Sequence, residues 1–213
     1  MNQHKKVFYE NQAKTIISKL KARKMDGYYC STMEDAKEKV IELIGDSGKM
    51  VGYGGSMTID DTDLKTRIQA AGHQLIVREE LNQTPEGVEE CNAKLINADT
   101  FLMSTNGITL DGELINIDGR GNRVAFLIYG PKQVIVIAGM NKVVSNVEDG
   151  IRRVRNFATP PNTVRLHCDT PCAETGQCMD CLTNSICCQI VVTRVSLIPG
   201  RIKVILVGET LGY

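Results

Sequence analysis

The chain has no surplus of either charge: 25 Lys and Arg stand against 25 Asp and Glu in 213 residues. No basic run exceeds residues 21–24. That leaves no electrostatic footprint for nucleic acid or for an anionic membrane surface. Long apolar runs are missing as well. The polar start at residues 1–6 leads into a stretch carrying charge throughout, so neither a signal-peptide core nor a membrane-spanning segment is present, and cytoplasmic residence is expected. Histidine is scarce. His4, His73 and His167 form no metal-ligand pairing of useful spacing, and only His167, beside Cys168, stands close enough in sequence to add a ligand to the segment that follows. There is no internal repeat and no low-complexity linker. A chain of this length that is 42% hydrophobic suits a single α/β domain over residues 1–213, with a helical N-terminal part at 1–45 and a cysteine-rich segment at 166–190.

Cysteine, in contrast, is plentiful. Four of the eight, Cys172, Cys178, Cys181 and Cys187, follow the spacing C-x5-C-x2-C-x5-C, with Pro171 and Gly176 to bend the backbone between them. In a reducing compartment such a cluster points to a soft metal centre and away from disulfides. Its neighbours, among them Asp169, Glu174, Gln177, Asp180 and Asn184, are too polar for a buried apolar stretch. Zinc motifs usually carry Cys-x2-4-Cys at both ends, whereas here only the central pair has that spacing, so an iron–sulfur cluster is preferred and zinc is the alternative. Cys188 could replace Cys187 as the fourth ligand. Cys30 and Cys91 are isolated and read as structural.

Periodicity predicts a helix over 7–25, a second beginning at a capping box Ser31-x-x-Glu34 and ending at Gly45, and others over 60–71, 86–97 and 146–157. Thr84-Pro85 caps the fourth of these, and Pro160-Pro161 is expected to break the last. Between them lie short apolar runs read as strands at 49–52, 74–77, 100–104, 124–129, 133–137 and 202–207, with a hairpin turn at Asp111-Gly112. Strands alternating with helices, and strand cores apolar on both faces, predict a mainly parallel sheet covered by helices. Ligands of such sheets sit beyond the carboxyl ends of the strands.

Three segments leave those ends with chemistry aboard. Gly52, Gly54, Gly55, Ser56 and Thr58 form a glycine-rich strand-to-helix loop whose amides and hydroxyls could hold a phosphate or carboxylate, or serve as a tight turn alone. Asn106, Asp111, Asn116 and Asp118 follow the strand at 100–104 and could hold sugar hydroxyls or supply a base, though such residues also build turns. For Asp118 and Asn122 the turn reading is preferred. Lys142 follows the strand at 133–137 and is a candidate partner for an anionic substrate.

The blocks Thr105-Asn106-Gly-Ile-Thr109, Asn116-Ile-Asp-Gly-x-Gly-Asn-Arg-Val124, Gly130-Pro-Lys132, Gly139-x-Asn-Lys-Val143 and Lys203-Val-Ile-Leu-Val-Gly-Glu-x-Leu-Gly-Tyr213 resemble the lactate-utilization (LUD) domain family across nearly the whole chain. The resemblance implies the α/β fold shared by glucosamine-phosphate deaminase, ribose-phosphate isomerase and coenzyme A transferases. It places Gly52 to Ser56 at the phosphate loop and Asn106, Asp111 and Lys142 near the ligand. Family members include one subunit of an iron–sulfur complex that oxidises L-lactate to pyruvate. That implies a small anionic metabolite, electron transfer, iron–sulfur partner subunits and room for a homo-oligomer. The chain departs from the plain subunit in carrying its own cysteine-rich insert, and it matches no single enzyme's catalytic set. Two other functions therefore stand beside hydroxy-acid oxidation: a sugar-phosphate or coenzyme A enzyme with a structural zinc, and a non-catalytic binding module.

Overall fold

A computed structural model describes residues 2–213. Its strands, in chain order, are β1 (Asp26–Cys30), β2 (Met50–Tyr53), β3 (Gln74–Leu75), β4 (Thr100–Met103), β5 (Gly107–Thr109), β6 (Leu114–Asp118), β7 (Gln133–Gly139), β8 (Val143–Val144), β9 (Gln189–Thr193) and β10 (Ile202–Val207). The helices are α1 (Gln3–Ala22), α2 (Met33–Ile44), α3 (Met57–Asp60), α4 (Leu64–Ala70), α5 (Arg78–Leu81), α6 (Pro85–Ile96), α7 (Asn122–Ile128), α8 (Val147–Arg153), α9 (Thr159–Arg165) and α10 (Pro171–Thr175).

The main sheet runs β1-β10-β7-β4-β2-β3, and every pairing in it is parallel. Strand alternation sorts its side chains onto two buried faces. Val134, Val136 and Leu206 pack with Ile16 and Leu20 of α1, Leu95 of α6 and Leu127 of α7. Ile135, Ile137 and Ile205 point the other way, against Val40 of α2, Ile59 of α3 and Ile68 of α4. Each such side chain contributes roughly 1.5–3 kcal/mol on full burial, which is why the continuous apolar runs settle in the middle of a three-layer sandwich. A smaller sheet, β8-β5-β6-β9, is attached to the carboxyl side of the large one. Its β5–β6 hairpin turns at Asp111-Gly112, where Gly112 has φ +86° as the turn requires.

Several expectations need correction. The run at 124–129 is not a strand: it lies in α7, where Val124 and Leu127 share the buried face and Arg201 donates to the terminal carbonyls of Phe126 and Leu127. A short apolar run carries no period long enough to tell helix from strand. The stretch 1–45 is not helical throughout, because β1 pairs with β10 inside it. The capping box falls one residue later than expected, on Thr32 and Asp35. Helix 60–71 is interrupted between α3 and α4. Pro160-Pro161 does not end the helix. A π-helical turn over Val154–Ala158 loosens the hydrogen-bond register just before it, so both prolines fall in the first turn of α9, where no N–H is needed.

Candidate functional site

The chain runs outward from β2 to β3, then returns past β2 to β4 and onward to β7. That reversal opens a crevice beyond the carboxyl ends of β2 and β4, the place where open parallel sheets bind ligands. A cleft of ≈ 770 Å³ lies there, and Thr58, Ser104, Asn106, Asp118, Arg123 and Lys142 are among the residues lining it.

Lys142 rides on a single 3₁₀ turn, Met140–Lys142, at the end of β7. Gly139 is obligatory at the start of that turn, since a Cβ would stand 2.7 Å from the Glu209 carbonyl and 2.8 Å from the Leu211 nitrogen. Nζ is buried and donates to Thr58 Oγ1 at 3.1 Å and Ser104 Oγ at 2.9 Å. Thr58 in turn donates to Ser104 at 3.4 Å, and Ser104 to the Thr105 carbonyl at 3.3 Å. Among the described residues no carboxylate lies within ion-pair distance of Nζ. Burial first, then the charges of Arg153 and Arg123, push the ammonium down to about 7.

Arg123, at the start of α7, organises the floor. Its Nη1 donates to the Ser104 carbonyl at 3.0 Å and Asn116 Oδ1 at 2.8 Å, and its Nη2 to Asn106 Oδ1 at 2.8 Å and the Ile117 carbonyl at 3.1 Å. Nε faces Asp118 Oδ2 at 3.4 Å, an ion pair without hydrogen-bond geometry. Burial pulls the guanidinium below its usual value and Asp118 partly restores it. Arg153 braces the same loop from α8 by donating to the Asn106 carbonyl at 2.8 Å. Asp118 Oδ2 is itself buried with no hydrogen-bond partner. Lys142, Arg123 and Arg153 thus converge on the loop carrying Ser104 and Asn106, and the Asp118 carboxylate faces Arg123.

The structure brings together only some of the predicted residues. Lys142, Asn106, Gly55, Ser56 and Thr58 line the cleft. Gly52 instead lies within β2, where a Cβ would meet Leu95 Cδ2 at 2.3 Å, and Gly54 makes room for the Arg123 side chain. Asp111 sits out on the β5–β6 turn, exposed and 3.4 Å from Lys19 Nζ, and is not among the cleft residues. Arg123, Arg153 and Ser104 were not singled out as functional by sequence, and Asp118, a candidate there, was read in preference as a turn residue. Arg123 was hidden at the edge of an apolar run read as a strand, although the Asn-Arg-Val block contained it.

The cysteine segment forms one wall of the cleft. Cys188 N–H donates to the Asp118 carbonyl at 3.1 Å, and Ile186 lines the cleft beside Thr159. Thr159 Oγ1 lies 3.6 Å from Cys187 Sγ, and the hydroxyls of Thr163 and Thr170 each lie 3.5 Å from Cys172 Sγ. Burial pushes the Cys187 thiol up, the Thr159 hydroxyl opposes that rise, and Cys178, Cys172 and Cys181 add to it. The backbone between them is bent hard, with left-handed Gly176, Asp180 and Asn184. All are free thiols, and among the described residues no three His, Cys, Asp or Glu side chains form a metal-ligand group. Four thiolates would, by their chemistry alone, suit a soft metal. Closing onto one requires the side chains to move inward.

A family model described as the LUD domain matches residues 13–207. Among solved structures, a DUF162 family protein from Deinococcus radiodurans is similar at 14% identity over 93% of this chain and 98% of its own, with a TM-score of 0.55. At that identity the likeness shows the fold alone. The beta subunit of eIF2B from Chaetomium thermophilum aligns at 15% identity over 55% of this chain and 44% of its own, with a TM-score of 0.35. No curated protein matches the chain. Among the described residues no helix is long and apolar enough to cross a membrane.

Proposed function

The chain belongs to the LUD-domain family, and from that premise we propose that it holds a small hydroxy acid in the cleft and oxidises it beside a cysteine-bound metal centre. The observation that carries the ligand half is the charge balance around Lys142, where Arg123 and Arg153 add positive charge and no carboxylate reaches Nζ. Burying unpaired charge costs several kcal/mol per ion, and an anion in the cleft would offset that cost. Asp118 Oδ2, ion-paired with Arg123 but accepting no hydrogen bond, supports a ligand that also bears a hydroxyl, because a hydroxyl donor would satisfy it. In this reading Lys142 takes the acid's carboxylate, Asp118 accepts from the hydroxyl, and Arg123 holds Asn106 and Ser104 in place around them.

Cys172, Cys178, Cys181 and Cys187 would hold the metal, with an iron–sulfur cluster preferred over zinc. Such a cluster supplies an electron acceptor, whereas zinc would only fasten the segment. Thr159, which lines the cleft and meets Cys187, supports close placement of the two halves. Anaerobically purified protein is expected to show broad visible absorption and bound iron, both lost in Cys178→Ser. A colourless protein with stoichiometric zinc would remove the redox half. A second reading has one observation in its favour: Gly55, Ser56 and Thr58 line the same cleft, as a sugar phosphate or coenzyme A ligand would require. Calorimetric titration with L-lactate and with glycerol phosphate separates the two readings by which anion binds more tightly.

A further inference from the structure

Lys142 is placed for more than holding charge. Its neighbours Thr58 and Ser104 have already committed their own protons, Thr58 to Ser104 and Ser104 to the Thr105 carbonyl, so both hydroxyls can only accept from Nζ. A neutral amine held this way uses its two hydrogens on those two oxygens. Its lone pair is left in the remaining tetrahedral position, for which no protein partner exists among the described residues. Lys142 lines the cleft, and Gly212 passes close beside it, where an added Cβ would stand 2.9 Å from Thr58 Oγ1 and 3.6 Å from Nζ, so a larger residue there would crowd the amine. The position of the ammonium value, near neutrality, makes the unprotonated amine abundant.

We propose that Lys142 is a nucleophile that condenses with the carbonyl of a small 2-oxo acid to form an imine. The inference rests on the cleft's being an anion site, as argued above, and adds to it the class of compound that reacts there. The Nζ lone pair forms a bond to the carbonyl carbon while the C–O π pair takes up a proton and the nitrogen gives one up, which yields a carbinolamine. The C–O bond then breaks, water departs, and the nitrogen lone pair closes the C=N bond. Nothing is oxidised or reduced, so no further reactant is needed. The guanidinium groups of Arg123 and Arg153 raise the local positive potential and so favour carbonyl compounds that carry a carboxylate. Asp118 Oδ2 is the acceptor available for a hydroxyl of the carbinolamine.

The test uses the full chain with pyruvate or glyoxylate, sodium cyanoborohydride to reduce any imine, and intact-mass and peptide mapping. The expected result is one adduct, heavier by the oxo acid less one oxygen atom, on the peptide carrying Lys142. Its rate should saturate with oxo acid and exceed that of any other lysine by about tenfold or more, as binding next to a nucleophile dictates. Excess L-lactate should suppress it, and Lys142→Arg should lack it while background labelling of surface lysines persists. Mapping of the wild-type protein decides the matter even if the variant misfolds. Adduct spread evenly over surface lysines, or located on another residue, overturns the proposal. Calorimetric binding of pyruvate without adduct defeats the imine alone, whereas absence of both heat and adduct defeats the anion site with it.

Discussion

Replacing Lys142 with methionine is expected to raise the free energy of unfolding at neutral pH by about 2 kcal/mol while abolishing anion binding. The folded chain holds this amine at about 7 against 10.5 for an ordinary lysine. Between those values the unfolded chain keeps a proton that the folded chain has released, so stability climbs as pH rises through the window. Below about 7 the folded state carries the full cost, about 5 kcal/mol for a displacement of that size. Methionine fills the same slot without charge, but it leaves the Thr58 and Ser104 hydroxyls short of a donor, which reduces the net gain. The gain should shrink as the pH is raised towards 10.5. Urea denaturation of both proteins across that range measures it. Parallel curves would show that the amine is not destabilised in the fold.

Arg123→Met should act in the opposite direction. It removes the guanidinium donor from four acceptors at once, the Ser104 and Ile117 carbonyls and the Oδ1 atoms of Asn116 and Asn106, of which Asn106 Oδ1 keeps the Ile117 N–H. It also leaves Asp118 buried without its counter-ion. Removing one partner from a buried charge pair costs about 3–5 kcal/mol, and more follows from the unsatisfied oxygens. Arg123→Lys should recover only part of this, because an ammonium cannot fork towards four oxygens on a floor shaped for a guanidinium. Denaturant midpoints of the two variants provide the measurement. A loss below about 1 kcal/mol for Arg123→Met would mean that the floor is held by its strands and not by the guanidinium.

These two residues show what the sequence could and could not reveal. Lys142 was visible because it follows a long apolar strand at a glycine turn, and residues just past the carboxyl ends of parallel strands are where ligands bind. Arg123 was not, because residues 124–129 have no internal period to separate helix from strand, and the helix depends on Arg201, 75 positions away from Phe126, to satisfy its last carbonyls. Asp111 and Asp118 exchanged roles for a related reason. Both sit in glycine-rich surroundings that read as turns, and only the pairing of β6 with β5 and β9 decides that Asp118 ends inside the cleft while Asp111 faces Lys19. The glycine loop was likewise split by packing: Gly52 stays in β2 against Leu95, and of the residues named from the sequence only Gly55, Ser56 and Thr58 line the cleft. The alternation of β and α elements, the cap at Thr84 and the hairpin at Asp111-Gly112 were legible because each is set by local chemistry.

The site contradicts the ordinary rule that buried charge is paired, and such contradictions mark positions kept for a task. Its cations stand together because three elements, β7, α7 and α8, converge on the loop carrying Ser104 and Asn106.

Proton uptake on binding probes that arrangement most directly. L-lactate does not titrate near mildly alkaline pH, so heats of binding compared across buffers of different ionisation enthalpy report only protons taken up by the protein. An anion seated on Lys142 stabilises the ammonium and should draw in close to one proton per ligand at a pH about one unit above the value in the free site. Binding with no proton uptake, or no binding at all, would contradict the assignment of the cleft as a site where an unpaired lysine awaits an anion.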